Sequence, residues 1–241
     1  MSDFFEIWSY LARGPLLWLT LTLVAYGIGD ALFHASGRRP YVNPVLLAVA
    51  ILALLLQLTD TDYATYFEGA QFVHFMLGPA TVALAIPLHA NIGLVRRAAL
   101  PVVAALLAGS VTAMVSAVLI AGVFGVRGET LLSLVPKSAT APVALGVSES
   151  LGGSPTLTAV LVILTGITGA VVATPLLNFL RIRDWRARGL ATGIAAHGIG
   201  TARAFQVNET AGGFAGLGMA LNAVLTALIA PLLAPFLVGL F

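Results

Sequence analysis

The stretch 98–124 contains no charged side chain, and 157–180 shares this character. A helix needs about 20 consecutive apolar residues to cross a bilayer, and both stretches exceed that length. Only 9% of the 241 residues are charged, whereas soluble domains carry about 25% charge. Too few charges remain to cover a surface that faces water. The sequence therefore predicts an all-α, polytopic membrane protein that is embedded in the lipid bilayer.

Shorter apolar stretches bring the prediction to about seven or eight membrane segments. The further candidates are 15–33, 43–58, 71–88, 190–205 and 214–240. We expect a single integral membrane domain over 1–241, with an N-terminal span in 1–40, a first half at 41–130 and a second half at 131–241. Gly78 and Pro79 are predicted to break the third segment.

Arginine clusters indicate the orientation. They lie at 38–39, 96–97 and 181–188. The positive-inside rule places these loops in the cytoplasm, so the acidic loop 60–68 faces outside. Helix 98–124 then leaves the cytoplasm and helix 157–180 returns to it. The segment between them is predicted to be re-entrant or a broken helix pair; alternatively, Arg127 is cytoplasmic and 131–150 simply spans.

That intervening segment holds the most unusual stretch, 134–153, LVPKSATAPVALGVSESLGG. It contains Lys137, the only lysine of the chain, and Glu149. A charge at mid-bilayer costs about 2.5–3.5 kcal/mol, so such residues are usually functional. Pro136 and Pro142 interrupt the helix, and irregular backbone at this depth is tolerated where protein buries it or where it lines a wet cavity.

The ammonium of Lys137 needs a counter-charge, and an anionic substrate is the functional hypothesis. Alternatively, Glu149 forms a structural pair with it, or the lysine snorkels to an interface. Ser138 and Thr140 flank the lysine and are predicted ligands, although hydroxyls near a proline break also cap freed backbone groups. Glu149 is a candidate for proton coupling.

A second polar group lies in 190–205, which is also predicted to be broken. Gly198 and Gly200 weaken a helix there and let a ligand approach the backbone. His197 and Thr201 are four residues apart and are predicted to share a helix face.

His197 titrates near neutral pH and is a second candidate for proton coupling. Arg203 could bind a carboxylate with two hydrogen bonds. The alternatives are a neutral interhelical hydrogen bond for the histidine and snorkelling at a helix end for the arginine.

A weak internal sequence similarity, here called the sequence echo, relates the first half of the chain to the second. Residues 78–84 resemble 137–145, and a broken segment followed by an uninterrupted helix occurs at 71–124 and at 134–180. Interrupted segments in corresponding positions are typical of transporters built from inverted repeats. A chance match in an alanine- and glycine-rich chain is the alternative.

Several function classes are excluded or receive no support. There is no cysteine, so thiolate metal sites and thiol catalysis are excluded. No HExxH, GxSxG or Walker motif is present, and His74, His89 and Asn91 are too widely spaced to suggest a metal site. We expect neither an enzyme nor a cofactor, and no nucleic-acid partner.

The runs VPKSATAPVALGVSESLGGSPTLTA, RGLATGIAAHGIGTARAF and MLGPATVALAIPL resemble the LrgB/CidB family of bacterial membrane proteins over roughly residues 41–230. The resemblance implies a multi-pass protein of the bacterial inner membrane. The family motifs fall on Pro136, Lys137, Ser138, Glu149, His197, Gly198, Gly200 and Thr201.

The resemblance implies two functions. Relatives include plastidial glycolate/glycerate translocators and proteins implicated in pyruvate transport, which favours a secondary transporter of small monocarboxylates centred on Lys137 and coupled to protons. The alternative is an antiholin-like regulator of a holin-like partner, murein hydrolase activity and lysis. That alternative needs a separate small LrgA/CidA-like membrane protein, and small-residue faces at Gly166, Gly169 and 212–218 could pack against it. A homo-oligomer is expected.

Overall fold

The structure, a computed structural model, describes residues 14–39, 41–76, 79, 82, 89 and 92–241. They belong to two compact units, Met1–Ala83 and Leu84–Phe241. Helices and connecting turns account for the described residues, with no strand among them. Gly78 and most of 76–88 lie outside the described residues, while Pro79 is exposed.

The first unit contains three described helices, α1 (Pro15–Ala35), α2 (Pro44–Leu58) and α3 (Tyr63–Phe75). The Asn43 side chain caps α2 by accepting from the amides of Val45 and Leu46. Helices α1 and α2 approach closely at Gly29, where an added methyl group would lie 2.6 Å from the Pro44 carbonyl oxygen.

Helix α3 corrects the prediction that 60–68 is a loop. It begins at Tyr63, because the Asp62 side chain accepts from the amide of Ala64 at 2.8 Å and so satisfies a free donor of the first turn. Tyr66 then packs edge-on against Trp18, with ring centroids 5.8 Å apart. Polar composition suggested a loop, but the cap and the aromatic contact stabilise a helix.

The second unit contains seven described helices. They are α4 (Ile92–Arg97), α5 (Ala99–Val123), α6 (Gly128–Leu134), α7 (Ala141–Leu151), α8 (Pro155–Phe179), α9 (Trp185–Val207) and α10 (Glu209–Val238). Among the described residues, α1, α5, α8 and α10 are long and apolar enough to cross a membrane, and α2 is a shorter apolar helix. The protein is therefore a polytopic helical membrane protein, as the sequence predicts.

Helices α6 and α7 form a first hairpin, residues 128–151, that doubles back on itself. The Ser133 hydroxyl near the end of α6 accepts from the amide of Ser154 at 2.8 Å. Thr158 in the first turn of α8 donates to the Ser133 carbonyl and lies 2.7 Å from the Ser148 hydroxyl of α7. Because α6 and the C-terminal half of α7 both meet the start of α8, the geometry agrees with the re-entrant interpretation.

Helix α9 is a second hairpin, residues 185–207, so the predicted break in 190–205 is confirmed. The backbone leaves the helical region at Ala196 (φ −129°, ψ 17°) and His197 (φ 40°, ψ −136°). A methyl group added at Gly200 would lie 3.1 Å from the carbonyl oxygen of Thr192. In a continuous helix, Thr192 and Gly200 would be about 12 Å apart along the axis, because eight residues separate them. Their close approach therefore shows that the chain reverses between them.

The two hairpins form an inverted arrangement. The first follows α5 and precedes α8; the second follows α8 and precedes α10. Because α8 crosses the membrane between them, the hairpins enter from opposite sides, and each is followed by a long helix. This pair of units, 128–179 and 185–238, differs from the pair in the sequence echo, 71–124 and 134–180, whose first member lies partly outside the described residues.

Candidate anion site at the hairpin tips

Asn222 of α10 connects the tips of both hairpins. Its side-chain amide donates to the carbonyl of Ser138 at 3.0 Å and to the carbonyl of Ile194 at 3.2 Å. Its oxygen accepts from the hydroxyl of Ser110 in α5 at 2.5 Å. Asn222 and Ser110 are each 1% exposed. One buried amide therefore satisfies a carbonyl in each hairpin and fixes both against the long helices.

Lys137 lies at the tip of the first hairpin and is half-buried. Its ammonium group donates to the Ser138 hydroxyl at 3.2 Å, which leaves two of its three protons for other acceptors. Glu149 is exposed on α7, and the salt bridges of the described residues do not join it to Lys137. The structural Lys–Glu pair is thus not formed in this structure, which leaves the anionic ligand and the snorkelling lysine as the two interpretations.

Helix α7 directs its N-terminus toward the same tip. Thr140 is the N-cap residue, yet its hydroxyl makes no capping hydrogen bond. Pro142 lies in the first turn, where a missing amide proton costs nothing. The free amides of this end carry a partial positive charge that favours anions. Together with Lys137, they make the tip electropositive, while Thr140 itself is not part of the lining of the cavity described next.

A cavity of about 500 Å³ begins at Lys137. Its wall follows α8 from Leu161 to Leu177 and follows the first half of α9 from Ala196 back to Ala191. Both directions lead toward the arginine-rich loop at 181–188. The cavity therefore extends from the hairpin tip toward the side that the positive-inside rule assigns to the cytoplasm.

His197 is buried at the reversal of the second hairpin and contacts α8. Its Nε2 lies 2.8 Å from the carbonyl oxygen of Val162, and Thr201 donates to the His197 carbonyl at 2.8 Å. Because His197 is non-helical, the four-residue spacing does not give the shared helix face that we expected. The described contacts match the alternative we considered, an interhelical hydrogen bond that positions the hairpin.

Arg203 lies close to the cavity that begins at Lys137, since Ala173, Leu177 and Thr192 line both that cavity and the small gap beside Arg203. The arginine lies on the returning half of α9, borders this gap with Arg188, and donates to the Gln206 side chain at 3.4 Å. It does not line the cavity that begins at Lys137. The structure therefore places this predicted carboxylate ligand next to the cavity and outside its lining, and its position near the helix end also fits the snorkelling alternative.

The predicted hinge glycines divide into two kinds. Gly198 is exposed, and an added methyl group would make only an ordinary contact with Met219. Gly200 is buried, and an added methyl group would lie 2.6 Å from the Ala196 side chain. Gly200 is therefore required for the two halves of the second hairpin to pack, whereas Gly198 tolerates a side chain.

The small-residue faces considered for a partner are used inside the chain. A methyl group at Gly166 would lie 2.5 Å from the His197 ring, and one at Gly169 would collide with the Ala196 side chain. Gly212 contacts the Phe205 ring in the same way. These glycines let α8 and α10 approach the second hairpin, so these positions are occupied by intramolecular packing.

Sequence analysis missed Asn222 and the threonines of the cavity. Thr165, Thr168 and Thr192 line the cavity together with Lys137. The available signal in the sequence was an asparagine in the middle of an otherwise apolar segment, because polar side chains within membranes form hydrogen bonds across helices.

Comparison with known proteins adds the family. A model of the LrgB-like family matches residues 22–236. The chain belongs to the LrgB-like family. YwbG of Bacillus subtilis is 37% identical over 207 residues, covering 86% of this chain and 92% of YwbG. The holin-like protein CidB of Staphylococcus aureus (strain N315) is 32% identical over 210 residues, covering 87% of this chain and 91% of CidB. No solved structure matches the chain.

The LrgB-like match covers both hairpins and all the residues that meet at their tips. The family resemblance seen in the sequence motifs is therefore confirmed, and the chain is a multi-pass membrane protein of the LrgB/CidB type.

Proposed function

We propose that this LrgB-like protein is a secondary transporter of small monocarboxylates in the bacterial inner membrane. The observation that carries the proposal is Lys137, which lies without a carboxylate partner among the described residues, beside the N-terminus of α7 and at the head of a cavity. A carboxylate would supply the missing charge. No covalent chemistry and no cofactor are needed, so the protein acts as a carrier rather than an enzyme.

The arrangement suggests how a carboxylate would be held. Lys137 neutralises it, and the α7 amides with the Thr140 hydroxyl orient it by hydrogen bonds. Ser138 holds the lysine side chain in place. Broken helices that present their ends to a mid-membrane site are typical of transporters with inverted repeats.

Access to the site would alternate between the two sides of the membrane. The cavity extends toward the cytoplasmic side, so this conformation corresponds to an inward-facing state. Movement of the hairpins would expose the site to the other side. Glu149 and His197 are the candidates for proton coupling, and a homo-oligomer would provide a fixed frame for such movement.

Uptake by purified protein in liposomes tests this function. Labelled glycolate, pyruvate and lactate are supplied with an imposed pH gradient. We expect saturable uptake in the wild type and its loss in Lys137→Ala, while Arg183→Ala removes an exposed charge from the cytoplasmic loop and keeps uptake. Normal uptake by Lys137→Ala would rule out Lys137 as the anion-binding centre.

The name of the Staphylococcus aureus relative, holin-like protein CidB, favours a second candidate. In that case the protein regulates a small LrgA/CidA-like membrane partner and controls murein hydrolase activity. Absence of uptake for every acid, with the protein correctly inserted, would favour this candidate. Co-purification with the small partner, unaffected by Lys137→Ala, would then support it directly.

A further inference from the structure

The wall of the cavity at Lys137 is apolar over most of its length. Beyond the hydroxyls of Thr165, Thr168 and Thr192, the side chains are aliphatic, among them Leu161, Leu164, Val172 and Leu176. Lys137 is the only charged residue that lines it. Lys137 and these three threonines supply the polar groups of the lining, and the aliphatic wall along α8 is open, since Leu164, Val172 and Leu176 are 54%, 43% and 47% exposed.

The size of the cavity exceeds what a two- or three-carbon acid requires. Its volume of about 500 Å³ falls in the range of about 300–1,000 Å³ that is usual for drug-sized ligands. A short hydroxy acid would leave most of the apolar wall without contact. A hydroxyl directed into this wall would also lose its water without gaining a partner.

We propose that the site favours monocarboxylates with an apolar chain of about four to six carbons, such as straight and branched 2-oxo acids, over short polyhydroxy acids. The inference rests on the proposed transport function and narrows its substrate class. The carboxylate binds at Lys137, Thr165 and Thr168 of the cavity lining supply hydroxyls to a 2-oxo oxygen, and the hydrocarbon extends along α8 toward Val172.

A homologous series of 2-oxo acids tests the inference. Pyruvate, 2-oxobutyrate, 2-oxovalerate, 2-oxohexanoate and glycerate compete with labelled pyruvate for uptake into liposomes. Each buried methylene contributes about 0.8 kcal/mol, which corresponds to about fourfold tighter inhibition per added carbon. Glycerate is expected to inhibit less than pyruvate.

A pair of matched variants locates the effect. Val172→Phe places a large ring in the cavity below the site and should abolish the tighter inhibition by the longest acids, so that they inhibit no better than pyruvate. Val160→Phe is the control, because Val160 is on the same helix, is 50% exposed compared with 43% for Val172, and does not line the cavity. The control should keep the full dependence on chain length.

The outcomes separate this inference from the function itself. Equal inhibition by all 2-oxo acids, with pyruvate uptake intact, overturns the inference and leaves the transporter standing. If Val172→Phe and Val160→Phe change the dependence of inhibition on chain length equally, the inference is also overturned. The hydrocarbon of the acid would then bind elsewhere or act through the bilayer. Failure of all acids to be transported or to compete overturns the transport function.

Discussion

The Nε2 atom of His197 lies 2.8 Å from the carbonyl oxygen of Val162. This contact fixes the reversal of the second hairpin against α8. His197 has a φ of 40°, a region that non-glycine residues seldom adopt. The conformation costs about 1–3 kcal/mol, which the surrounding contacts must offset. The described contacts of His197 thus hold the second hairpin in position against α8.

Substitution of His197 distinguishes positioning from proton relay. His197→Ala should reduce uptake up to about tenfold, since it removes a buried hydrogen bond between the hairpin and α8 that contributes about 0.5–1.5 kcal/mol. His197→Gln should restore most of it, because its amide can donate to Val162. The pH profile of uptake is measured for both variants and the wild type. A glutamine variant as inactive as alanine, with proton dependence lost, would instead identify His197 as the relay.

Asn222 is expected to be the most sensitive uncharged position of the site. Asn222→Leu keeps the volume but leaves the carbonyls of Ser138 and Ile194 without their donor, at about 1–3 kcal/mol each. We expect a lower melting temperature and a strong loss of uptake. Ser110→Ala should have a smaller effect, because it removes one donor and leaves both carbonyls satisfied.

Thermal unfolding of the two Asn222 and Ser110 variants and of their combination gives the coupling energy. Ser110→Ala should cost little more once Asn222→Leu is present. Fully additive losses would show that the Ser110–Asn222 hydrogen bond does not contribute to stability.

The topology of the hairpins can be tested by labelling single introduced cysteines, because the chain has no cysteine of its own. Single cysteines at Glu129 and Ser150, both exposed near the ends of the first hairpin, should react with an impermeant maleimide from outside the cell. Cysteines at Arg183 and Gln206, both exposed near the ends of the second hairpin, should react from the cytoplasmic side alone. Labelling of Glu129 and Ser150 positions from opposite sides would mean that the first segment spans.

The N-cap of the second hairpin should respond to acid. The side-chain hydrogen bond from Arg186 and the backbone amides lower the pKa of Asp184 to about 2, from about 3.9 in an unfolded chain. A carboxyl group with a lowered pKa stabilises the fold above the unfolded value, and the contribution is lost as the pH falls from about 4 to about 2.

Asp184→Asn tests this dependence, since asparagine also caps a helix but carries no charge. Thermal stability of the wild type and variant should converge as the pH drops through that interval, with the wild type modestly higher at pH 6. The effect is small because both side chains are largely exposed. A constant difference from pH 6 to pH 2 would show that the charge of Asp184 plays no part.

Much of the secondary structure followed from the sequence. The uninterrupted stretches 98–124 and 157–180 correspond to α5 and α8 because a bilayer leaves a backbone few alternatives to a helix. The arginine clusters and prolines favoured a re-entrant or broken segment at 134–153, with a simple span over 131–150 as the alternative. Among the described residues, 60–68 was wrongly assigned as a loop, because a capping aspartate and an aromatic contact stabilise a helix that its polarity disfavours.

The site was determined only in part by the sequence. Lys137 was identifiable alone, since a single lysine in an apolar chain is costly wherever it lies in the membrane. The reversal at His197 decides three further features. It brings residues 138, 194 and 222 together, it sets the position of Arg203 outside the cavity lining, and it gives the cavity its shape. Such contacts link residues dozens of positions apart. Local composition and periodicity carry no record of them, so only the tertiary structure could decide which polar groups share the tip.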